Sequence, residues 1–398
     1  MRVLFVNQYY PPDVSATAYL LGELAEDLSR DHEVWVVAGQ PSYNPEAGAY
    51  QPRGPRVART WSTSFGRKSI AGRLVNYGSF VGTAITRARS IPRPDVVVAM
   101  TDPPAVGLVG MLAAQRHGAP FVYICEDIFP DVAIALGRMD NPVVTGALRR
   151  LNRTLRRKAD RIVAIGRDMV AKLTSQGVPE EKIALIPNWA SRVAASRPQV
   201  DAVRKAHDWG SKFVVLHAGN VGLAQNLGTL IEAARLLADA GDLQLAIVGD
   251  GAERRRLQHL SRRLELPNVS FLPQRPKHEV HALEAAADVH AVTLNPGLRG
   301  SVVPSKMYGI MAAGRPFIAA VDAGSEPDLV IQEHGCGLWV EPGDPRALAD
   351  GILRTRAMPL DEMGRRGRDA FDRLYERSIA TGKYRRLLED VVAGFDSV

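Results

Sequence analysis

The chain has 398 residues, with 50 Lys plus Arg against 43 Asp plus Glu and a net charge of +7. At about 150 residues per domain, this length predicts two or three domains. A composition of 46% hydrophobic and 23% charged residues, with 35 Gly and 26 Pro, excludes collagen-like and wholly disordered proteins. A charge excess of this size does not by itself indicate nucleic-acid binding.

The two cysteines and the first residues bear on the cellular compartment. Cys125 and Cys336 are too few for a disulfide framework or a four-thiolate metal site, and they fit a reducing compartment. Met1 and Arg2 lead directly into a strand-like VLFV run without a cleavage site, so no signal peptide is predicted. No run of about 18 apolar residues is available to span a membrane. We expect a cytoplasmic protein whose membrane contact is at most peripheral, at the inner face.

In the first half of the chain, short β-branched runs alternate with longer helical stretches. Apolar residues at 20, 21, 24, 25 and 28 have the spacing of a helix between Ala16 and Arg30. Strands that alternate with helices of about 10–15 residues predict βαβ units and a parallel sheet. The predicted strands are 3–7, 33–38, 95–100, 121–125 and 161–165.

The same pattern starts again in the second half. A strand over 213–218 ends at Gly219 and precedes a helix over about 227–240, and a polar stretch near 188–212 joins the two halves. The predicted fold class is therefore α/β, with two doubly wound, Rossmann-like domains. The other strands predicted here are 243–248, 269–272, 289–294 and 317–321.

This arrangement has two consequences for the site and for the C-terminus. Open α/β sheets bind ligands beyond the carboxyl ends of their strands, so a cleft between the two domains is the expected site. The last helix, at about 379–394, has no strand to follow. We expect segment 379–398 to be a crossover helix that packs back on the first domain, the alternative being a cap on the second.

The turn after the first strand argues against an oxidoreductase. It reads NQYYPPDVSA over 7–16 and contains no glycine. A dinucleotide site needs G-x-G-x-x-G at this turn so that the backbone can approach the pyrophosphate. A P-loop is absent as well, so the first domain is not a standard nucleotide site.

Glycines and amides after two strands of the second half suggest a phosphate site. Gly219, Asn220 and Gly222 lie where a strand turns into a helix, and Gln225 opens that helix. Free N–H groups at such a helix N-terminus attract phosphate, although a plain turn has the same pattern. The residues Gly249 and Gly251 follow the next strand and indicate either a close approach of backbone to ligand or a turn only.

A lysine opens a later helix in the second half. Pro304, Ser305 and Lys306 precede a run of small residues that ends at Gly314. A lysine in the first turn opposes the helix dipole, which favours an anion between the two. The alternative is a solvated surface lysine.

Taken together, these motifs resemble the retaining nucleotide-sugar glycosyltransferases of family 4, over nearly the whole chain. The opening is similar to the subgroup that builds bacterial O-antigens and capsules, including fucosamine-type transferases. The resemblance implies the GT-B architecture of two facing Rossmann-like domains, an acceptor domain over 1–190 and a donor domain over 208–378. The matching strings are QYYPPD (8–13), DIFP (127–130), IPN (186–188), GNVGLAQ (219–225), VGDG (248–251), PSK (304–306) and AAGRP (312–316).

The chain departs from this family at charged donor-binding positions. The resemblance implies an Arg and a Lys for the donor diphosphate, where this chain has Asn220 and Gln225. It also implies two glutamates spaced E-x7-E for the donor sugar and the ribose, where this chain has Ser301 and Gly309. Buried phosphate oxygens need donors, preferably charged ones. We therefore expect Lys306 to replace the missing pair.

Further donor contacts are expected around Lys306. The N–H groups of Gly222 and of the helix start at 304–307 are expected to assist it. Arg299 is a second candidate for the diphosphate, and Arg275 lies in the region where the family holds the nucleobase through backbone contacts. Either arginine could instead be a surface residue.

No metal and no cofactor are expected. A D-x-D motif, which chelates a divalent ion beside a diphosphate, does not occur in the chain. The nucleotide sugar, expected to be a UDP-sugar, is a substrate.

Two positions in the first domain are candidates for acceptor chemistry. Glu126 and Asp127 end a buried strand, where many relatives have His-Asp, and a carboxylate pair there could act on an acceptor hydroxyl. Asp127 could equally cap the turn that follows. Retaining transfer needs little help from a base if the departing phosphate takes the proton. Ser15, at the first strand–helix junction, is a candidate for a phosphate contact or for an N-cap.

Most of the positive charge lies in the first half. Up to Ala190 there are 23 Lys plus Arg and 17 Asp plus Glu, an excess of six; segment 53–93 holds nine basic and no acidic residues, and 149–161 holds a second basic run. Nucleic acid is not expected, because no stacking aromatics alternate with these charges. The apolar positions on one helical face of the first segment are Leu74, Tyr77, Phe80, Val81, Ala84 and Ile85.

A basic amphipathic segment of this kind fits an anionic membrane surface or the diphosphate of a lipid-linked acceptor. The alternative is a solvated basic side on an ordinary core helix. The sequence thus predicts a retaining glycosyltransferase that moves a sugar from a nucleotide-diphosphate donor to a hydroxyl of a glycan or lipid-linked acceptor. A glycosyltransferase acting on small-molecule natural products and a non-catalytic sugar-nucleotide-binding protein stay open as alternatives.

Overall fold

The computed structural model of the protein describes residues 1–41, 50–63, 70–192, 195–275 and 277–396. The chain forms two compact units. The first comprises Met1–Pro187 and Ala380–Val398, and the second comprises Asn188–Ile379. The second unit therefore begins at Asn188, whereas the sequence places the start of the donor domain at 208.

The first unit contains a parallel sheet of seven strands within the described residues, in the order β3-β2-β1-β4-β5-β6-β7. The central strand β1 is buried because its apolar residues face helices on both sides, as parallel sheets require. Val3 pairs with Val34 on one side and with Val96 on the other. The strands are β1 Arg2–Val6, β2 Glu33–Gly39, β3 Arg56–Thr60, β4 Val96–Ala99, β5 Phe121–Cys125, β6 Arg161–Ala164 and β7 Ile183–Leu185.

The helices of this unit begin and end at recognisable signals. Asn141 caps α5 by accepting hydrogen bonds from the next turn, and Pro142 occupies its first position. Gly118 ends α3 in the left-handed conformation at φ 61°. The helices are α1 Ala16–Leu28, α2 Ile70–Arg89, α3 Val106–His117, α4 Asp131–Ala135, α5 Pro142–Lys158 and α6 Arg167–Ser175.

The second unit contains a parallel six-stranded sheet within the described residues, in the order β10-β9-β8-β11-β12-β13. In this sheet the strand order reverses beside β8, as it reverses beside β1 in the first sheet. Such a switch point opens a crevice at the carboxyl ends of the two strands concerned. The strands are β8 Phe213–Ala218, β9 Leu243–Val248, β10 Val269–Leu272, β11 Val289–Thr293, β12 Phe317–Ala320 and β13 Gly337–Val340.

The last helix, α15, starts in the second unit and belongs to the first from Ala380 onward. Tyr384 and Leu388 are buried. Arg385 pairs with Asp31 at 2.8 Å. The helices from the second unit onward are α7 Arg197–Ala206, α8 Leu227–Leu236, α9 Arg254–Arg263, α10 Lys277–Ala286, α11 Lys306–Ala312, α12 Glu326–His334, α13 Pro345–Arg356, α14 Leu360–Leu374 and α15 Arg377–Asp396.

The apolar face expected over 74–85 is the core-facing side of α2. Phe80 and Ala84 are fully buried, and the helix packs against α3 and β2. The buried part of this face is therefore not available to a membrane, whereas Tyr77, Val81 and Ile85 are partly exposed. Segment 64–69 and the side chain of Leu74 lie outside the described residues. Within the described ranges no helix is long and apolar enough to cross a bilayer.

Candidate functional site

The switch point of the second sheet brings the turn after β8 next to the end of β11. Asn295, just after β11, donates from its N–H to the carbonyl of Ala224 at 2.8 Å and from its amide to that of Leu223 at 2.6 Å. The Thr293 hydroxyl donates to the carbonyl of Gln225. These bonds hold the turn at 223–225 against β11, so the crevice between the two strands has fixed walls.

Two glycine loops pack backbone to backbone at this crevice. Gly249 has φ 133°, and a Cβ atom there would lie 1.9 Å from the carbonyl oxygen of Gly219. A Cβ atom at Gly251 would lie 2.4 Å from the carbonyl oxygen of Val221. The Val221 N–H donates to the backbone carbonyl of Asp250 at 2.9 Å. These glycines therefore permit a close approach between the two loops, which is more than a turn alone requires.

The amides of the first loop are partly engaged with each other. The Gly222 N–H, expected to assist phosphate binding, donates to the Gln225 side chain at 3.1 Å. This hydrogen bond caps the turn from Gly222 to Gln225 and occupies the Gly222 N–H. The expected contact of this N–H with phosphate is therefore not supported.

Lys306 lies in the crevice, in contact with His217 at the end of β8. Its Nζ is 3.0 Å from Nδ1 of His217, and His217 is fully buried. Burial lowers the pKa of Lys306 to about 7. Burial, followed by the Lys306 charge, holds the pKa of His217 well below its usual range. Near neutral pH the imidazole is therefore uncharged and the lysine is close to half protonated.

His217 connects Lys306 to the first glycine loop. Its Nε2 lies 3.3 Å from the carbonyl oxygen of Asn220. Nε2 also lies 3.1 Å from Nζ of Lys306, so the lysine is close to both ring nitrogens. The sequence reasoning missed His217, although its place at the end of a buried strand could have marked it.

A buried carboxylate lies beside Gly309, which is one turn along α11 from Lys306. Glu284, on α10, is 8% exposed, and a Cβ atom at Gly309 would lie 3.3 Å from its Oε1. In the described part of the chain, Oε2 has no hydrogen-bond partner; it lies 3.4 Å from Nδ1 of His281. The space that a side chain at 309 would enter is therefore occupied by a carboxylate from another helix, which no local motif indicates.

Pro304 and Ser305 form the start of α11. The Pro304 carbonyl accepts from the N–H of Met307 at 3.3 Å and that of Ser305 from the N–H of Tyr308 at 3.2 Å. This turn places Lys306 at the first position of the helix, beside β8.

Two expected arginines lie at the surface. Arg299 is exposed; its N–H donates to Asp322 at 3.0 Å, and its guanidinium packs against Gly324. Arg275 is exposed and pairs with Glu279 at 3.3 Å. Both arrangements match the surface alternative.

In the first unit, Glu126 and Asp127 follow β5 beside the end of β4. Their N–H groups both donate to the hydroxyl oxygen of Thr101, at 3.1 and 3.2 Å. Glu126 is buried. Asp127 is exposed at the residue level, yet the surrounding protein desolvates its carboxyl and raises the pKa to about 6. Helix α4 has Pro130 at its N-cap and no side-chain cap, so Asp127 does not cap that helix.

Ser15 is the N-cap of α1. Its hydroxyl accepts from the N–H of Ala18 at 3.1 Å. The capping alternative is thus the observed one. Across the described ranges, no three His, Cys, Asp or Glu side chains are grouped so that they could hold a metal ion.

Two family models match consecutive parts of the chain. Residues 16–189 match the glycosyl transferase 4-like domain, and residues 199–369 match the glycosyl transferases of group 1. Together the matches include every strand of the two sheets except β1, and all the candidate site residues except Ser15.

Individual proteins agree with these matches. The chain is 29% identical over 382 residues to the putative colanic acid biosynthesis glycosyl transferase WcaI of Escherichia coli, covering 90% of this chain and 93% of WcaI. It is 28% identical over 393 residues to the probable glycosyltransferase WbjE of Pseudomonas aeruginosa, covering 96% of each. The fold matches Anabaena HepE, solved in complex with UDP, with a TM-score of 0.77 at 18% identity over 98% of this chain and all of HepE.

Proposed function

The chain belongs to the group 1 glycosyltransferases with a GT-B fold, and on this premise we propose that it is a retaining enzyme that transfers a sugar from a UDP-sugar to a hydroxyl of a glycan or lipid-linked acceptor. The observation that carries the donor assignment is Lys306, held on His217 beside Gly219 at a sheet switch point. The UDP complex of HepE supports the choice of nucleotide, and the assignment of WcaI to colanic acid biosynthesis supports a glycan product.

Lys306 supplies the positive charge that the diphosphate requires. A half-protonated, partly buried lysine gains a full charge when a phosphate anion binds beside it. This charge replaces the missing arginine–lysine pair and stabilises the departing nucleoside diphosphate without a metal ion. The rest of the donor surface comes from the glycine loops at 219–225 and 249–251.

Glu284 takes the place of the missing ribose glutamate. Its carboxylate lies beside Gly309, where the family pattern has a glutamate on α11 itself. A buried carboxylate that accepts hydrogen bonds from two hydroxyl groups is a strong and specific recognition element.

The acceptor hydroxyl is bound in the first unit near Glu126 and Asp127. With a pKa of about 6, Asp127 is mostly ionised at pH 7 and can accept a hydrogen bond from a hydroxyl. In a retaining transfer the departing phosphate takes the proton, so Asp127 orients the acceptor rather than acting as the sole base.

A lipid-linked acceptor is favoured by an exposed surface of the first unit. Trp61 is 62% exposed, and Val57 and Val75 are also exposed. In the sequence they lie among the basic residues of 53–93, a combination that suits the interface of an anionic membrane. This surface, rather than the buried face of α2, is the proposed peripheral contact.

The proposed function is tested by turnover. Purified protein is incubated with a panel of UDP- and GDP-sugars, extracted lipid and soluble acceptors, with and without a chelator, while release of nucleoside diphosphate is measured. We expect release from a UDP-sugar with lipid, insensitive to the chelator, and an anomeric configuration retained in the product by NMR. Turnover with small aglycones alone would favour the natural-product alternative. Donor binding with no turnover would favour a non-catalytic protein.

The pH dependence of donor binding tests the role of Lys306. Because its pKa in the free protein is about 7 and a bound diphosphate raises it, UDP binding takes up a proton above pH 7. Affinity is therefore expected to fall by about tenfold per pH unit as the pH rises above 7. Isothermal titration in buffers of different ionisation enthalpy measures this uptake.

A matched variant separates Lys306 from other ionisable groups. Lys306→Arg keeps its charge across this range, so its UDP affinity is expected to be independent of pH between 7 and 9. A variant that retained the wild-type slope would assign the proton to another group.

The role of Glu284 is tested with a pair of ligands. Glu284→Gln is expected to weaken UDP about tenfold, because a neutral amide accepts hydroxyl hydrogen bonds less strongly than a carboxylate. The affinity for 2′,3′-dideoxyuridine diphosphate should change little, since that ligand lacks both hydroxyls. Equal losses for the two ligands would indicate a structural effect and remove Glu284 from the ribose site.

A further inference from the structure

A second concave site lies wholly within the first unit. It is a cavity of about 580 Å³ bounded by α5 and by the segments that follow β5 and α6. This volume is in the range of sites for small organic ligands. The cavity begins at Ile128, directly after Asp127 in the chain.

Positive charge dominates this cavity. Its lining contains one carboxylate, Asp131, and five cations: Arg149, Arg153, Arg156, Arg157 and Lys182. Asp131 is already engaged, with Arg149 at 3.8 Å, Lys172 at 3.5 Å and the amide of Gln176 at 2.9 Å. Its charge therefore does not neutralise the remaining arginines.

The arginines share one face of α5. Positions 149, 153 and 157 are spaced by four residues, and 156 follows 153 by three, which places the four arginines on one side of the helix. In the described part of the chain, neither Arg153, Arg156 nor Arg157 is paired with a carboxylate. Arg156 donates from Nη1 to the Gln176 side chain, and its buried Nε has no hydrogen-bond partner. Like charges at this spacing repel each other, so the face is stabilised when an anion binds.

Apolar side chains form another part of the lining. Ile128 and Val178 are buried and Phe129 is partly buried. The amide of Asn152 donates to the carbonyl of Phe129 at 2.7 Å, which fixes this wall to α5. A bare phosphate would satisfy the guanidinium groups but leave the apolar wall and most of the volume unfilled.

We infer that this cavity binds a phosphate-bearing amphiphile, with the phosphate or diphosphate on the arginine face and an apolar chain against Ile128, Phe129 and Val178. Guanidinium groups bind phosphate oxygens in pairs, which suits an arginine face. The assignment of this ligand as the acceptor rests on the proposed glycosyl transfer. The cavity and its positive charge do not depend on the proposed glycosyl transfer.

The test compares two variants of α5 with equal changes in charge. R153Q/R157Q removes two exposed arginines from the cavity, whereas R150Q/K158Q removes two exposed cations of the same helix that do not line it. Isothermal titration of the full chain uses farnesyl diphosphate, inorganic diphosphate and farnesol as probes. Saturating UDP is present to fill the donor site.

Farnesyl diphosphate is expected to bind more tightly than either other probe, and R153Q/R157Q should weaken it about tenfold while the control stays at wild type. Equal losses in both variants, or no loss, would overturn the site. Inorganic diphosphate binding as tightly would replace the amphiphile with a free phosphate compound, and farnesol binding as tightly would refute the role of the arginines. If UDP fails to bind while farnesyl diphosphate still does, the proposed function fails and the cavity site stands.

Discussion

Lys306→Met is expected to lower the affinity for UDP about 100-fold and at the same time to raise the thermal stability of the protein. The loss of affinity follows because the variant removes the charged donor closest to the expected diphosphate, and hydrogen bonds to charged groups of this kind are worth about 1.5–3 kcal/mol. The gain in stability follows because burial lowers the pKa of Lys306 from 10.5 to about 7, so the folded state disfavours the charged form. Titration calorimetry and thermal unfolding measure the two effects.

The size of the stability effect depends on pH. Between about pH 7 and 10 the unfolded chain binds more protons at this lysine than the folded chain does, so the wild type gains stability as the pH rises through this interval. The advantage of Lys306→Met should therefore be greatest below pH 7 and small near pH 10. A variant that binds UDP normally, or that is less stable at pH 6, would contradict the assigned role.

Gly249→Ala is expected to destabilise the second unit by about 3 kcal/mol or more and to abolish donor binding. The new Cβ would lie 1.9 Å from the carbonyl oxygen of Gly219 at a φ of 133°, so the two glycine loops must separate. In calorimetry this corresponds to a Tm lower by about 6–12 °C for a unit of this size.

Gly210→Ala is the matched control for this clash. Gly210 also has a positive φ, 44°, but no atom lies within 4 Å of the position of a Cβ. We expect only the conformational cost of about 1 kcal/mol and unchanged UDP binding. Similar effects from both variants would show that backbone conformation, rather than the packing of the loops, is the reason for a glycine at position 249.

The central strands of both sheets could be predicted because each is a short β-branched run between two helices. The three strands that sequence reasoning missed, β3, β7 and β13, all lie at sheet edges. Strand β3 reads RVART and β7 has three residues, so neither shows the continuous apolar run of a buried strand.

Helix α7 was missed although its start carries a local signal. The stretch near 188–212 has little apolar periodicity, and none of the residues of α7 is buried. The Ser196 and Gln199 pair forms a capping box, with the Ser196 N–H donating to Gln199 at 2.8 Å. That spacing was available in the sequence and would have placed the helix.

The positions of the candidate donor site could be predicted, but its contacts could not. Glycines after β8 and β9 and the lysine that opens α11 are local signals of turns and helix starts. The contacts of Lys306 with His217 and of Glu284 with the space at Gly309 join segments that are distant in the chain. Such contacts depend on how helices pack on the sheet, which local spacing does not determine.

The measurement that tests the central claim most directly is a structure of the protein with UDP bound. The account predicts a phosphate oxygen within about 3 Å of Nζ of Lys306, the ribose hydroxyls on the Glu284 carboxylate, and the glycine loops at 219–222 and 249–251 unchanged. UDP bound elsewhere, with Lys306 remaining on His217 and making no phosphate contact, would contradict it.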